Sequence, residues 1–198
     1  MQEEKTKEKI VSFAAKQFLT IGFSKVSTDQ IAYELGMSKS TLYKYFPKKE
    51  ALLHEVVSNF YREQLDDIER IINNTELDFL QKVNQFIFVV GKRLGTVKKS
   101  AVLDMKRTAP EAYELLMDFR KNLILRKLSE LFQQGVQDHV FRKDMDQTFV
   151  VNVILAAIES LTDPDYLLTS GNTYESVFQN VLTLVLEGNL IRERDDDE

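Results

Sequence analysis

The amino-acid sequence predicts an all-α fold, with a small N-terminal three-helix head and a larger C-terminal helical body. Three observations predict it. Apolar residues recur at three- and four-residue spacing along nearly the whole chain. No stretch of useful length alternates as a strand would. Capping residues, glycines and prolines fall where such helices would begin and end. No repeat or low-complexity segment interrupts the pattern.

The first helix is expected over residues 6–21, with Ile10, Ala14, Phe18 and Ile21 on one face. Gly22 is its C-cap, and Phe23 folds back onto it. Ser27 is a good N-cap for a second helix over 28–35, and Gln30 completes a capping box. Ala32 allows a close crossing, and Gly36 supplies the left-handed residue that ends the helix. Ser38 caps a third helix over 39–46, which Pro47 terminates because the residue before a proline disfavours helix. Leu42 and Phe46 lie one turn apart and pack inward. Lys39, Ser40, Tyr43 and Lys44 share the opposite face, so a short helix with an apolar underside turns donors outward, as a major-groove reader requires.

One long helix is expected over 48–72, with Leu53, Val56, Val57, Phe60, Ile68, Ile71 and Ile72 as its seam. A stiff helix leading from the head into the body is a mechanical connection. Further helices are expected over 77–94 and 98–108, and over 111–137 with Pro110 at its first position. Asp144 or Asp146 caps another that ends near residue 161, where Asp163 and Pro164 interrupt it. Residues 169–173 form a loop, and the last helix, over 174–191, precedes an acidic tail. Segments 149–158 (FVVNVILAAI) and 177–186 (VFQNVLTLVL) are apolar over most of their circumference and need burial on more than one side. Ala156 and Ala157 permit close helix approach. The helices running from Phe149 to Ile158 and from Val177 to Leu186 are therefore expected to pair with their twofold copies as a four-helix homodimer interface.

Charge is unevenly divided. Residues 1–50 hold nine lysines and six acids, a balance of +3; the remainder holds seventeen basic residues and twenty-five acids, −8. A basic head on an acidic body orients the molecule on a polyanion. There is no cysteine, so disulfides and thiolate metal sites are excluded. No apolar run is long enough to span a bilayer. The charged start lacks the apolar core of a signal peptide, which fits a cytoplasmic protein.

The string from Phe18 to Phe23, then Ile31-Ala32, then GMSKSTLYKYFPKKEALL closely resembles the N-terminal domain of the TetR/AcrR family of bacterial transcriptional regulators. The resemblance covers roughly residues 7–55. It implies a helix-turn-helix DNA-binding domain over 1–50 and a helical effector-binding and dimerisation domain over 51–198. It also implies a repressor, bound as a homodimer to double-stranded DNA at an inverted-repeat operator and released by a small molecule. Ser27 and Thr28 match phosphate-contacting positions, Lys49 the family's phosphate-binding lysine, and Tyr43 and Tyr45 its aromatic positions. Lys39, Ser40 and Lys44 are candidates for reading bases. Lys44 stands where relatives often carry an aromatic residue, which leaves open whether it reads a base or a phosphate.

Phe86, Val90, Met105, Tyr113 and Met117 lie on helices that would surround a family-type pocket, and such a lining suits an apolar small-molecule effector. Core packing is the plainer reading of each. Arg107 and Arg120 are cations that could meet an anionic ligand, although solvated arginine is the simpler reading. No cofactor and no metal is implied. An enzyme would have to use His54 and His139, with no cysteine nucleophile, phosphate loop or paired ligand motif to help. A constitutively bound or architectural factor of the same fold, and an activator rather than a repressor, stay open.

Overall fold

The structure, a computed structural model, describes residues 2–140 and 144–189. Among them there are ten α-helices and no strand: α1 (Gln2–Thr20), α2 (Thr28–Glu34), α3 (Lys39–Tyr45), α4 (Lys49–Ile72), α5 (Phe79–Gly95), α6 (Lys99–Thr108), α7 (Pro110–Gln137), α8 (Gln147–Leu161), α9 (Pro164–Ser170) and α10 (Tyr174–Asn189). The acidic tail lies outside the described residues, as does the predicted end of the last helix.

α1 begins earlier than predicted, with Glu3 and Glu4 in its first turn, where negative side chains favour the helix dipole. Ile10, Ala14 and Phe18 are fully buried, but Ile21 falls beyond the last turn and is exposed. Gly22 adopts φ +116°, and the Phe23 ring returns edge-on to Phe18 with centroids 5.4 Å apart. α4 follows its predicted span to within one residue, with Val56, Val57 and Ile68 among its buried seam. It packs on α1, α5 and α7, so one continuous core joins the head to the body.

α5 carries a full capping box, in which the Asp78 side chain accepts from the Gln81 amide and the Gln81 side chain accepts from the Asp78 amide. Its Leu80 is exposed. Gly91 lets α5 and α10 close on each other, since a Cβ there would lie 3.2 Å from the Glu175 Cα. The Asp163–Pro164 pair corrects an expectation. It does not merely interrupt a helix but starts α9, with the Asp163 side chain accepting from the Asp165 amide at 2.9 Å and Pro164 in the first turn. α9 takes in Thr169 and Ser170, so the loop shrinks to the residues around left-handed Gly171.

The two greasy segments bury much of their apolar surface within the single chain. On α8, Val150, Val151, Ile154 and Ile158 face inward, as do Val177, Phe178, Val181, Leu182 and Leu186 on α10. Phe149 (61% exposed), Val153 and Leu184 (76% exposed) remain on the outside.

Candidate nucleic-acid interface

The helix-turn-helix is built from its caps inward. Ser27 Oγ accepts the Gln30 amide at 3.1 Å and starts α2. Gly36, at φ +66°, closes the helix: its amide donates to the Tyr33 carbonyl and the Met37 amide to the Ala32 carbonyl, both at 3.0 Å. Ser38 Oγ accepts the Thr41 amide and starts α3, which ends at extended Phe46 before Pro47. Leu42 is fully buried and Phe46 nearly so. Ile31 and Ala32 meet them from the α2 side in the same core. α3 is thereby pinned by its underside, and its rotation about its own axis is set.

What it turns outward is polar. Lys39, Ser40, Tyr43 and Lys44 are all exposed. The Tyr43 hydroxyl pairs with Thr28 Oγ1 at 2.9 Å, bracing α3 against the start of α2. Ser40 Oγ lies 2.8 Å from Ser38 Oγ. Lys39 pairs with Asp29, and Lys44 donates to Glu3 at 2.9 Å. The Glu3 hydrogen bond and charge hold the Lys44 ammonium above its ordinary pKa. Exposed ion pairs of this kind are weak, so a phosphate or base edge can replace the carboxylate at little cost. Tyr45 is half-buried against the core.

Lys49 is placed differently. At the first turn of α4 its ammonium donates to the Phe23 carbonyl and sits 4.1 Å from the centre of the Phe23 ring. Burial lowers its pKa, outweighing the pull of Glu50 and Asp104. Two residues of the helix-turn-helix that the sequence reading did not single out are also exposed. Tyr33 on α2 is 83% exposed, and Thr41 is exposed on α3. Their signal was available: once Ile31, Ala32 and Leu42 are assigned inward, helical spacing leaves positions 33 and 41 outside.

In the body, Phe86, Val90 and Met105 are buried in the core, and Tyr113 and Met117 are half-buried on α7. The described clefts are lined by other residues. One of about 710 Å³ opens between α4 and α7, with Tyr61, Leu65, Phe119 and Leu123 as its apolar lining and Arg62 and Arg126 beside them. Its floor is fixed, because the Tyr61 hydroxyl donates to the Leu116 carbonyl at 2.6 Å and the Phe119 ring lies 5.0 Å from that of Tyr61. Arg107 is exposed and 3.6 Å from Asp104. The Arg120 side chain lies outside what is described. His54 borders a separate cleft with Leu53 and Pro110, while exposed His139 has φ 56° at the end of α7. Among the described residues no cluster of metal-ligating side chains occurs, and no helix is long and apolar enough to cross a membrane.

A short, pinned helix bearing cations and hydroxyls, braced by a second helix across a glycine turn, defines a helix-turn-helix DNA-binding protein. The comparisons narrow that class. Residues 10–56 match the family of bacterial regulatory proteins described as the tetR family. The HTH-type transcriptional regulator YvaF of Bacillus subtilis strain 168 is 28% identical over 171 residues, covering 84% of this chain and 86% of its own. A transcriptional regulator from Cytophaga hutchinsonii superposes with a TM-score of 0.73 at 21% identity, over 93% of this chain and 98% of its own. A regulator from Saccharomonospora viridis, solved in complex with choline, superposes with a TM-score of 0.65 at 20% identity, over 96% and 100%. Residues 10–56 thus carry a tetR-type helix-turn-helix domain, and over most of its length the chain is similar to DNA-binding transcriptional regulators.

Proposed function

We propose that this regulator is a ligand-responsive repressor, which binds an inverted-repeat operator as a homodimer and releases it when a small molecule occupies the body. The observation that carries the reading is the outward face of α3, where Lys39, Ser40, Tyr43 and Lys44 stand on a helix held by buried Leu42 and Phe46. Lys39, Ser40 and Lys44 meet base edges or the adjacent phosphates, each shedding its partner within the protein. Ser27 and Thr28, at the N-terminus of α2, and Tyr43 and Tyr45 contact phosphate oxygens. Lys49 leaves the Phe23 carbonyl to reach a phosphate.

Residues 1–50 then read DNA, and 51–198 dimerise and sense the effector. The exposed Phe149, Val153 and Leu184 support dimerisation through α8 and α10, because a second copy would cover them. An effector in the α4–α7 cleft would press directly on α4, the helix that reaches the head. The arginines beside the aromatic floor favour a part-apolar anion. A cation such as choline, bound by the Saccharomonospora relative, would be repelled by Arg62 and Arg126.

Selection of bound duplexes from random DNA tests the reading. It should return an inverted repeat with half-sites about one turn, roughly 34 Å, apart. Anionic amphiphiles such as long-chain carboxylates should then release the selected duplex, and choline should not. A thousandfold release requires about 4 kcal/mol of preference for the DNA-incompetent state. Recovered sites without symmetry would remove the dimer, and a duplex retained under every compound would make this a constitutively bound factor.

A further inference from the structure

α6 touches the head at a place the DNA-contacting residues do not explain. Asp104, on α6, is 4% exposed, and its carboxylate accepts both the Ser24 amide at 2.8 Å and the Ser24 hydroxyl at 2.6 Å. Ser24 lies in the turn between α1 and α2, three residues before the Ser27 cap. A Cβ on Gly22 in the same turn would lie 3.0 Å from Asp104 Oδ2, so the turn is drawn close against the carboxylate. At the other end of α6, the Lys98 amide donates to the Leu19 carbonyl at 2.9 Å. Thr108 Oγ1 caps the Asp104 carbonyl at 2.7 Å, and Arg107 stands 3.6 Å from its carboxylate. Four residues past Ser24, Thr28 Oγ1 pairs with the Tyr43 hydroxyl on α3 at 2.9 Å.

A head joined to a body by α4 alone could pivot about that helix. Ties placed off its axis remove the freedom. We infer that Asp104 is a positioning residue: by clamping Ser24 it fixes the angle of the head on the body, and so the separation at which paired recognition helices meet DNA. The second half of that statement rests on the dimeric DNA-binding reading above; the clamp itself does not. A buried carboxylate satisfied by a backbone amide and a hydroxyl is a rigid joint, since leaving any of the three unpaired is costly.

The test has two arms. The chain contains no cysteine, so Tyr33→Cys on the head and Gln85→Cys on α5, both at exposed positions, can carry spin labels for a head-to-body distance distribution. Ser24→Ala, which removes one hydroxyl, and Asp104→Ala should each broaden or displace that distribution, and the double variant should do no more than Asp104→Ala alone. Asp104→Asn, which keeps one acceptor for the Ser24 amide, should restore part of it. On duplexes recovered by selection, Asp104→Ala and Ser24→Ala should lose about tenfold in affinity and relax the preference for native half-site spacing over spacing changed by one base pair, with binding to an isolated half-site unchanged. An unaltered distribution in both variants, or additive losses, overturns the clamp. Equal losses on half-site and full site overturn its role in spacing. A broadened distribution with no inverted repeat recovered leaves the clamp standing and defeats the dimeric reading instead.

Discussion

The head and the body present opposite kinds of unfinished surface. On the head, the outward groups already have partners: Lys39 has Asp29, Lys44 has Glu3, Tyr43 has Thr28 and Ser40 has Ser38. On α8 and α10 the outward groups Phe149, Val153 and Leu184 are apolar and exposed. A polar surface with exchangeable internal partners stays folded and soluble alone, and trades those partners for a polyanion. An apolar surface gains only by being covered. On the proposed reading, the head is prepared for an intermittent partner and the body for a standing one.

The largest effects would break the two halves separately. Phe178→Ala, in the body core, should cost about 3–5 kcal/mol, and Leu42→Ala, under α3, about 2–5 kcal/mol. Urea unfolding measures both. DNA binding should fall in step with the folded fraction for Phe178→Ala, but beyond it for Leu42→Ala, because α3 loses its seat. Leu184→Asp then isolates the body's outer face. It should change the unfolding free energy of the single chain by no more than about 0.5 kcal/mol and convert dimer to monomer in sedimentation. A dimer that survives this change forms elsewhere.

The head's polar face is sharpened by two lysines. Lys44→Ala should weaken the selected duplex about tenfold or more, and relax preference at one base pair, if that ammonium reads a base. Lys49→Met should weaken all sequences alike and reduce the salt slope by about one, with no loss of fold stability, because the ammonium it removes is partly desolvated. Ser38→Ala removes the α3 cap and should cost about 1 kcal/mol in unfolding.

The smallest effect is a pH dependence at the joint between the halves. Burial raises the Asp104 pKa, but the Ser24 bonds and Arg107 together outweigh it and leave the carboxyl below its ordinary 3.8. A depressed carboxyl contributes stability above its unfolded value and loses it as pH falls through the lower folded value. The stability difference between the wild type and Asp104→Asn should therefore be constant from about pH 7 to 5 and shrink below pH 3.8.

Much of the fold was legible because its boundaries are local. Pro47, Pro110, Ser38 and Gly36 act on their immediate neighbours, and α4 and α7 lie where those residues put them. α9 escaped because Asp163–Pro164 reads equally as a break and as a cap with a first-turn proline. The outward face of α3 was legible for the same local reason, once Leu42 and Phe46 were assigned inward. Contacts between distant segments were not. Glu3 and Lys44 are 41 residues apart and Ser24 and Asp104 are 80 apart, and no periodicity connects them. The cleft between α4 and α7 was missed because it depends on how two helices splay, whereas Phe86, Val90 and Met105, chosen for their side-chain type, sit in the core.

α4 belongs to neither half alone. Its early residues Leu52, Leu53 and Val56 and its later residues Ile68 and Ile72 are part of one unbroken core. Severing the chain near position 50 would strip α1 of the helix it packs on, and the amino-terminal fragment would not survive as an autonomous unit. Scanning calorimetry of the intact protein should accordingly record one heat-absorption peak, whose calorimetric and van't Hoff enthalpies agree.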